Sequence, residues 1–296
     1  MPQQEITSSH SLAGQIAVVT GAGRGIGRTI AQTLAAEGAH VAALARSKNE
    51  LAETVALIQK SGGSSTMHAV DVTDEPSVRD VFAEIDRTHG GVDLLVNNAG
   101  ASGPYGPFWE NNFPEWTRAV NVNLLGPALC SHAVLPGMVS RRRGRIINVS
   151  SGGGVVPIDY FSAYVVSKTG LIRFTENLAS EIKPHGLAAF AISPGTVRTA
   201  MSEHALNSEE GKQWLPWFRK IFDEGLAVPP ERAARLVATL ATGVADPLSG
   251  CMISILDDLN LLLENLEKVK SENFYSLRLR RLQPDAPQSK FIPQRK

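Results

Sequence analysis

The chain has 296 residues, of which 43% are hydrophobic and 20% are charged, and its formal net charge is zero. This length and composition are ordinary for a soluble protein built around one large α/β domain. A zero net charge provides no global field to attract nucleic acid or an acidic membrane, so neither is predicted as a partner.

The N-terminal segment, residues 1–14, is polar and lacks the basic and apolar regions of a secretory signal. No apolar run approaches the roughly twenty residues that a membrane helix needs. Cys130 and Cys251 cannot form a disulfide framework, and neither has metal-ligand spacing. We therefore expect both thiols to be buried, predict no metal site, and interpret the protein as cytoplasmic.

Short apolar runs alternate with longer amphipathic stretches through most of the chain. The runs predict strands ending at Thr20 and Ala45, a strand over 66–72, and strands near Val96, Val149, Ile192 and Ile253. Helical patterns lie between them, for example over 50–60, 76–88 and 163–182. This alternation predicts a Rossmann-type, doubly wound α/β fold, with a parallel sheet of about seven strands between two helical layers.

The first strand ends in a glycine-rich turn that runs directly into a helical pattern. Glycine permits a tight turn and lets the backbone approach a pyrophosphate at the N-terminus of the helix. A strand before the turn and a helix after it is the context that a dinucleotide site requires. The sequence therefore predicts that the cofactor is held here by Gly21, Gly23, Arg24, Gly25, Ile26 and Gly27.

The end of the second strand indicates which dinucleotide is bound. Dehydrogenases that use NAD usually place a carboxylate here, on the ribose 2′-hydroxyl. This chain has Ala45 followed by Arg46, and Arg24 lies in the glycine-rich turn. Because guanidinium groups suit a 2′-phosphate, the pattern favours NADP(H). The alternative is that both arginines are solvated surface residues.

Polar and turn-forming segments follow the later strands. Residues 97–100 read Asn-Asn-Ala-Gly, and residues 193–199 read Ser-Pro-Gly-Thr-Val-Arg-Thr. Ser150 and Ser151 end the fifth strand, and Tyr164 and Lys168 emerge on one face of a helical pattern. The nearby ammonium is expected to lower the pKa of Tyr164 from its usual value near 10.

Together these segments resemble the short-chain dehydrogenase/reductase family, in particular its NADP-preferring, 3-oxoacyl-reductase-like members. The shared features are a T-G-x-x-x-G-x-G turn, N-N-A-G, a serine thirteen residues before the tyrosine of Y-x-x-x-K, and P-G-x-x-x-T. The resemblance covers about residues 12–256. It implies hydride transfer between a nicotinamide and a carbonyl or carbinol carbon, with Tyr164 as general acid and base.

The resemblance also implies a role for each matching residue. The catalytic set would be Asn123, Ser151, Tyr164 and Lys168, with Asn123 supporting a water in a proton relay. Ser150 is the rival of Ser151, and Asn121 lies close enough to Asn123 to keep that assignment open. The later cofactor contacts would be Asp71 and Val72 near the adenine, Asn98, Ala99 and Gly100 near the ribose, Pro194, Gly195, Val197 and Thr199 near the nicotinamide, and Tyr164 and Lys168.

The reading that follows is an NADP(H)-dependent carbonyl reductase acting on a small carbonyl or alcohol substrate. The main alternative is a catalytically silent NADP(H)-binding sensor or scaffold. A nucleotide-sugar epimerase is disfavoured, because those enzymes resemble T-G-x-x-G-x-x-G and carry a larger C-terminal domain.

The remaining segments concern substrate and assembly. Residues 1–258 are predicted to form the dinucleotide-binding and catalytic domain, and residues 199–228 occupy the place of a variable substrate lid. The aromatics of that lid suit a hydrophobic pocket, the core or a subunit interface. Residues 259–296 predict a leucine-rich amphipathic helix and a basic tail. A homo-oligomer, dimer or tetramer, is expected from the resemblance.

Overall fold

A parallel sheet of seven strands forms the centre of the computed structural model, which describes residues 11–279. The strands are β1 (Ile16–Thr20), β2 (His40–Ala45), β3 (Ser64–Ala69), β4 (Leu94–Asn97), β5 (Arg145–Val149), β6 (Ala188–Ser193) and β7 (Met252–Ser254). Their order is β3-β2-β1-β4-β5-β6-β7, so the direction of winding reverses between β1 and β4. The predicted doubly wound sheet is confirmed.

Helices cover both faces of the sheet. They are α1 (Gly25–Ala36), α2 (Lys48–Lys60), α3 (Glu75–His89), α4 (Phe113–Val120), α5 (Gly126–Arg141), α6 (Ser162–Ile182), α7 (Ala200–Asn207), α8 (Glu209–Trp214), α9 (Phe218–Asp223), α10 (Pro230–Ala241), α11 (Leu259–Glu264) and α12 (Leu266–Ser271). One core layer joins the sheet to α1, α2 and α10. The other joins it to α3, α5 and α6. The inner strands are buried on both faces, which explains their nearly continuous apolar sequences.

The third strand is shifted toward the N-terminus relative to its prediction over 66–72. It ends at Ala69, and Asp71 then turns the chain by accepting hydrogen bonds from the backbone and hydroxyl of Thr73. Val70 and Val72 are buried although they lie beyond the strand. Because they are apolar, the sequence-based prediction placed the end of the strand too late. This difference carries Asp71 and Val72 into the loop at the carboxyl edge of the sheet.

A long helical run, Phe113–Arg141, is formed by α4, a π turn at Asn121–Leu125, and α5. By length and composition it could cross a membrane, but 44% of its most apolar window is buried inside the fold. Contacts of α4 with α6 and of α5 with α3 attach it to the body. We therefore assign it as a core helix.

The C-terminal region departs from its prediction, because α11 and α12 replace the single expected helix. The break is at Asn265, whose side chain donates to the Leu261 carbonyl, a competition with helical bonding that is typical of asparagine. Leu262 and Val269 are buried in the core layer shared with α1 and α10, whereas Leu261 is 56% exposed. The basic residues Arg280 and Arg281 of the predicted tail lie outside the described residues.

The segment 273–279, which we call the C-terminal strap, returns to the sheet and to α6. The Tyr275 carbonyl accepts from the backbone N–H of Met252 on the edge strand β7 (2.8 Å). Glu176 of α6, only 1% exposed, accepts from the backbone N–H of Leu277 (2.7 Å) and from Arg278 (3.1 Å). The strap therefore covers the edge of the sheet and ends in a buried ionic contact.

Candidate active site

A cleft of about 690 Å³ opens at the carboxyl edge of the sheet. Its position, where winding reverses between β1 and β4, is the usual ligand site of doubly wound sheets. Most of the predicted site residues line it: Gly21, Gly23, Arg24, Gly25, Ile26, Gly27, Arg46, Asp71, Val72, Asn98, Ala99, Gly100, Tyr164, Lys168, Pro194 and Thr199.

The glycine-rich turn is packed too closely for side chains at two of its positions. A Cβ on Gly21, whose φ is +64°, would lie 2.9 Å from the Ala99 Cα atom. A Cβ on Gly27 would lie 2.3 Å from Asn98 Nδ2 and from the Gly21 carbonyl. Asn98 fixes this arrangement by donating to the Thr20 carbonyl (2.9 Å). The turn is thus held against the segment after β4.

The N-terminus of α1 faces this turn. Its N-cap, Arg24, makes no side-chain capping hydrogen bond, so the first N–H groups of the helix are left for a ligand. A pyrophosphate suits such a helix end, because the N–H groups and the helix dipole both favour an anion. The cradle formed by the glycines and this helix end therefore fits a dinucleotide.

The far side of the turn holds the charged residues that were predicted to choose the cofactor. Arg24 forms an ion pair with Glu50 (3.1 Å), and Arg46 faces Asp71 across 4.0 Å. Arg118 of α4 also lines the cleft. Burial alone would raise the pKa of Asp71, but hydrogen bonds from Thr73 and the charges of Arg46 and Arg118 hold it below its ordinary value. Asp71 is thus an anion in the cleft.

Tyr164, Lys168 and Ser151 come together beside the end of β5. Lys168 is 4% exposed and donates from Nζ to the Val149 carbonyl (2.8 Å), and its Nζ lies 5.7 Å from the centre of the Tyr164 ring. The Ser151 side chain lies close enough to the phenol to oppose the rise of the Tyr164 pKa, and its hydroxyl accepts from the Gly153 N–H (3.1 Å). Ser150 instead donates to the Lys168 carbonyl (3.0 Å). Ser150 rather than Ser151 belongs to the lining of the cleft, whereas the side chain near the phenol is that of Ser151. Proximity to Tyr164 favours Ser151, and position in the lining favours Ser150.

The pKa values of the pair differ from the expectation based on charge alone. Burial raises the pKa of Tyr164, and the hydrogen bond with Ser151 only partly opposes that rise. Burial also lowers the pKa of Lys168 to about 8. The expectation that the ammonium lowers the tyrosine pKa is therefore wrong, because the loss of water on burial is the largest effect and raises it.

Asn123 is fully buried in the π turn, away from the cleft lining. Its amide exchanges two hydrogen bonds with the backbone of Ala101 (both 2.8 Å) and donates to the Ser167 hydroxyl (2.9 Å). Ser167 in turn donates to the Tyr164 carbonyl (2.7 Å). Asn123 therefore ties the loop after β4 to the helix that carries Tyr164 and Lys168.

Residues after β6 are divided between the cleft and the core. Pro194 and Thr199 line the cleft, and Thr199 caps α7 through a reciprocal pair of bonds with Ser202. Val197 is buried, and Gly195 has a φ of +72° with its missing Cβ 2.8 Å from Val228 Cγ2. The absence of a side chain at Gly195 thus lets Val228, at the end of the lid, pack against the loop after β6. Neither Gly195 nor Val197 lines the cleft.

The sequence profile of the short chain dehydrogenase family matches residues 15–210. The chain belongs to this family. A short chain dehydrogenase of Pseudocercospora fijiensis is 33% identical, with 87% of this chain and 85% of that protein covered. The 3-oxoacyl-[acyl-carrier-protein] reductase of Vibrio cholerae is 35% identical over 81% of this chain and 95% of its own length.

Solved structures of the family agree in fold. A metagenomic short-chain oxidoreductase in complex with NADP has a TM-score of 0.66 and 34% identity, covering 78% of this chain and 92% of its own. An NAD⁺-bound xylitol dehydrogenase has a TM-score of 0.74 and 26% identity, covering 82% and 98%. This short-chain dehydrogenase is thus an oxidoreductase of the CH–OH/C=O type that uses a nicotinamide cofactor.

In this short-chain dehydrogenase, aromatic side chains surround Tyr164. The Phe161 ring stacks on the Tyr164 ring at 4.6 Å, and the Tyr105 ring lies 5.1 Å from Phe161. Tyr105 packs with Leu215 and with Trp214 of the lid. Of the aromatic and aliphatic lid residues, Leu206 and Leu215 are buried, Met201 lines the cleft, and Trp217 is 42% exposed. Both the pocket and the core interpretations of the lid therefore apply, to different residues.

Several cleft residues escaped the sequence analysis. Glu50 and Arg118 stand in helices without a motif around them, and only their distance from the turn in space reveals them. Phe161 lies outside the lining of the cleft, at the N-cap of α6, and was also missed although its ring stacks on that of Tyr164. Among residues 11–279, no group of three or more histidine, cysteine, aspartate or glutamate side chains could hold a metal ion.

Proposed function

We propose that this short-chain dehydrogenase is an NADP(H)-dependent carbonyl reductase in which Tyr164 is the general acid. The observation that carries the proposal is the joint placement of Tyr164 and Lys168 in the wall of one cleft, with the Ser151 side chain close enough to the phenol to oppose the rise of its pKa. The same cleft has Arg24 and Arg46 in its lining and Ala45 at the position where an acid would favour NAD.

The cofactor supplies the hydride when it is bound. The chain's own residues supply position and the proton. Ser151 and Tyr164 would hold the carbonyl oxygen as negative charge develops on it, and Tyr164 would donate its hydroxyl proton. The raised pKa of Tyr164 keeps the phenol protonated at neutral pH, which suits an acid in the reductive direction.

Lys168 is a basic group placed to support this proton transfer. Its buried ammonium near the phenol would stabilise the phenolate that remains after the proton has left. Asn123 acts through position, because its bonds to Ala101 and Ser167 hold the catalytic helix against the loop after β4. In alcohol oxidation the same groups would work in reverse.

We also propose that the protein works as a homo-oligomer in the cytoplasm. Large hydrophobic side chains are exposed on the side formed by α4 and the turn before it: Phe108, Trp109 and Phe113. Such clustered exposure is typical of association surfaces. Cys130 and Cys251 are both buried, which suits a reducing compartment.

The test is a cofactor-oxidation screen. Purified protein is mixed with NADPH or NADH and a panel of ketones, aldehydes and 3-oxoacyl thioesters, and the absorbance of the reduced cofactor is followed. We expect NADPH to be consumed with one carbonyl class. Tight NADPH binding without turnover of any carbonyl or alcohol would instead favour the sensor alternative.

A further inference from the structure

Glu50 lies in the cofactor cleft, although the motifs single out only the arginines around it. It stands in the first turn of α2, where its backbone N–H donates to the N-cap residue Ser47 (3.3 Å). Its carboxylate Oε1 lies 3.1 Å from Arg24 Nη1. Arg24 therefore has an anionic partner in the protein before any phosphate arrives.

Packing holds Glu50 close to the glycine-rich turn. A Cβ added to Gly23 would lie 2.9 Å from the Glu50 Cβ and 3.1 Å from its Oε2 atom. The Glu50 carbonyl also accepts from the Thr54 hydroxyl (3.1 Å) within the helix. Arg24, by contrast, is long and 64% exposed at its side chain, against 33% for Glu50. Arg24 is thus the movable member of the pair, and the acid stays beside the turn.

The charge of Glu50 acts differently on the two cofactors. A 2′-phosphate carries about two negative charges near neutral pH, so it is repelled by a neighbouring carboxylate and must also draw Arg24 away from it. A ribose 2′-hydroxyl carries no charge and can donate a hydrogen bond to a carboxylate. The carboxylate of Glu50 therefore weakens the binding of NADP(H) and leaves the binding of NAD(H) nearly unaffected.

We propose that Glu50 is a specificity-determining residue that competes with the 2′-phosphate of NADP(H) for Arg24. It thereby reduces the preference for NADP(H) that Arg24 and Arg46 create. This inference rests on the proposed function, since it takes the cleft to be the NADP(H) site.

The test is Glu50→Gln, which removes the charge and keeps the size of the side chain. Dissociation constants are measured by titration calorimetry, without turnover, for NADPH and NADH and for the matched fragments 2′,5′-ADP and 5′-AMP. We expect the constants for NADPH and 2′,5′-ADP to fall about three- to tenfold, the range for losing an exposed ionic competitor. Those for NADH and 5′-AMP should change less than about twofold.

Glu53→Gln is the matched control. Glu53 lies three residues further along α2 and pairs with Arg28 (2.8 Å), and it does not line the cleft. The control should change none of the four constants by more than about twofold. An equal effect of both variants would overturn the proposal, because it would reduce Glu50 to a general contribution to charge.

Two further results would overturn it. Unchanged or weaker binding of 2′,5′-ADP by Glu50→Gln would mean that Glu50 positions Arg24 for the phosphate. Equal gains for 2′,5′-ADP and 5′-AMP would mean that the 2′-phosphate is not involved. Failure of the proposed function is seen separately, in the wild-type protein, which would then lack turnover or bind NADH as tightly as NADPH. Even in that case, the comparison of 2′,5′-ADP with 5′-AMP still tests the role of Glu50.

Discussion

Ser150 and Ser151 illustrate at the residue scale how one position separates two roles at the end of β5. Neighbouring residues of an extended chain point to opposite sides, so their hydroxyls reach different groups. Ser150 donates to the carbonyl of Lys168, and the Ser151 side chain lies close enough to the phenol of Tyr164 to oppose the rise of its pKa. The motif alone did not decide which of the two serines acts with Tyr164. The two hydroxyls differ in which group of α6 they approach.

Arg46→Asp tests the predicted choice of cofactor. The change reverses the charge at the end of β2, where Arg46 faces Asp71. We expect NADPH binding to weaken at least about tenfold more than NADH binding, because a carboxylate repels the 2′-phosphate and accepts from a 2′-hydroxyl. Equilibrium titration measures both constants, with Arg79→Asp on the exposed face of α3 as the control. Equal losses for both cofactors would contradict a 2′-phosphate role.

Lys168 predicts a pH dependence of reduction. Its pKa is lowered to about 8 by burial, whereas that of Tyr164 is raised above its ordinary value. We expect kcat/KM for carbonyl reduction to fall as pH rises through about 8, because a neutral Lys168 no longer stabilises the developing phenolate. The measurement is kcat/KM against pH with NADPH saturating. A profile that stays flat up to the titration of tyrosine would refute this role.

At the scale of elements, hydrophobic periodicity was sufficient to predict the strands of the sheet, but it did not predict where the outer elements end. Inner strands such as β1 and β6 were predicted because burial on both faces leaves continuous apolar sequence. The end of β3 was misplaced because Val70 and Val72 remain buried in the loop beyond it. The π turn at Asn121–Leu125, which contacts α4, α5 and α6, was not predicted from the sequence.

The edge formed by β2 and β3 predicts a pH dependence of stability. The His40 ring lies 4.2 Å from the His89 ring, and burial followed by the charges of His89 and His68 lowers the pKa of His40 below 6.5. Just below pH 6.5, the His40 side chain is protonated more often in the unfolded chain than in the folded one. The folded state therefore loses stability as the pH falls from 6.5 through the lowered pKa of His40.

His40→Gln should therefore reduce the loss of stability on acidification. Urea midpoints at pH 7.5 and about 5.5 provide the measurement, and the difference between them should be smaller for the variant than for the wild type. His132→Gln, an exposed position on α5, is the matched control and should leave the difference unchanged. A wild-type midpoint that does not fall with pH would exclude this interpretation.

At the scale of the whole molecule, the C-terminal strap closes the fold in a way that no local pattern reveals. Glu176 and Leu277 are hydrogen-bonded although they lie 101 residues apart in sequence. The strap also pairs with β7, the last strand of the sheet, and so covers an edge that would otherwise be open to other chains. The sequence predicted a solvated basic tail around Arg278, which is wrong for this residue because it pairs with the buried Glu176. The partners of the strap are defined only in three dimensions.

Glu176→Gln should weaken this closure. Glu176 is buried against the strap and also bonds to Arg173, so neutralising it leaves two arginines without their charge partner. We expect the free energy of unfolding to fall by about 1–3 kcal/mol, together with faster proteolysis within the strap. Urea unfolding measures the first effect, and Glu181→Gln, exposed on the same helix, is the control. Equal stability of the two variants would contradict a structural role of the strap.

The central claim is that Tyr164 transfers the proton in an NADP(H)-dependent reaction, and Tyr164→Phe tests it most directly. The variant keeps the ring that stacks on Phe161 and removes only the phenolic hydroxyl near the Ser151 side chain. On the carbonyl substrate found in the screen, turnover should be nearly abolished, while the NADPH dissociation constant measured by titration should remain almost unchanged. Wild-type turnover by the Phe variant would contradict the assignment of Tyr164 and the mechanism built on it.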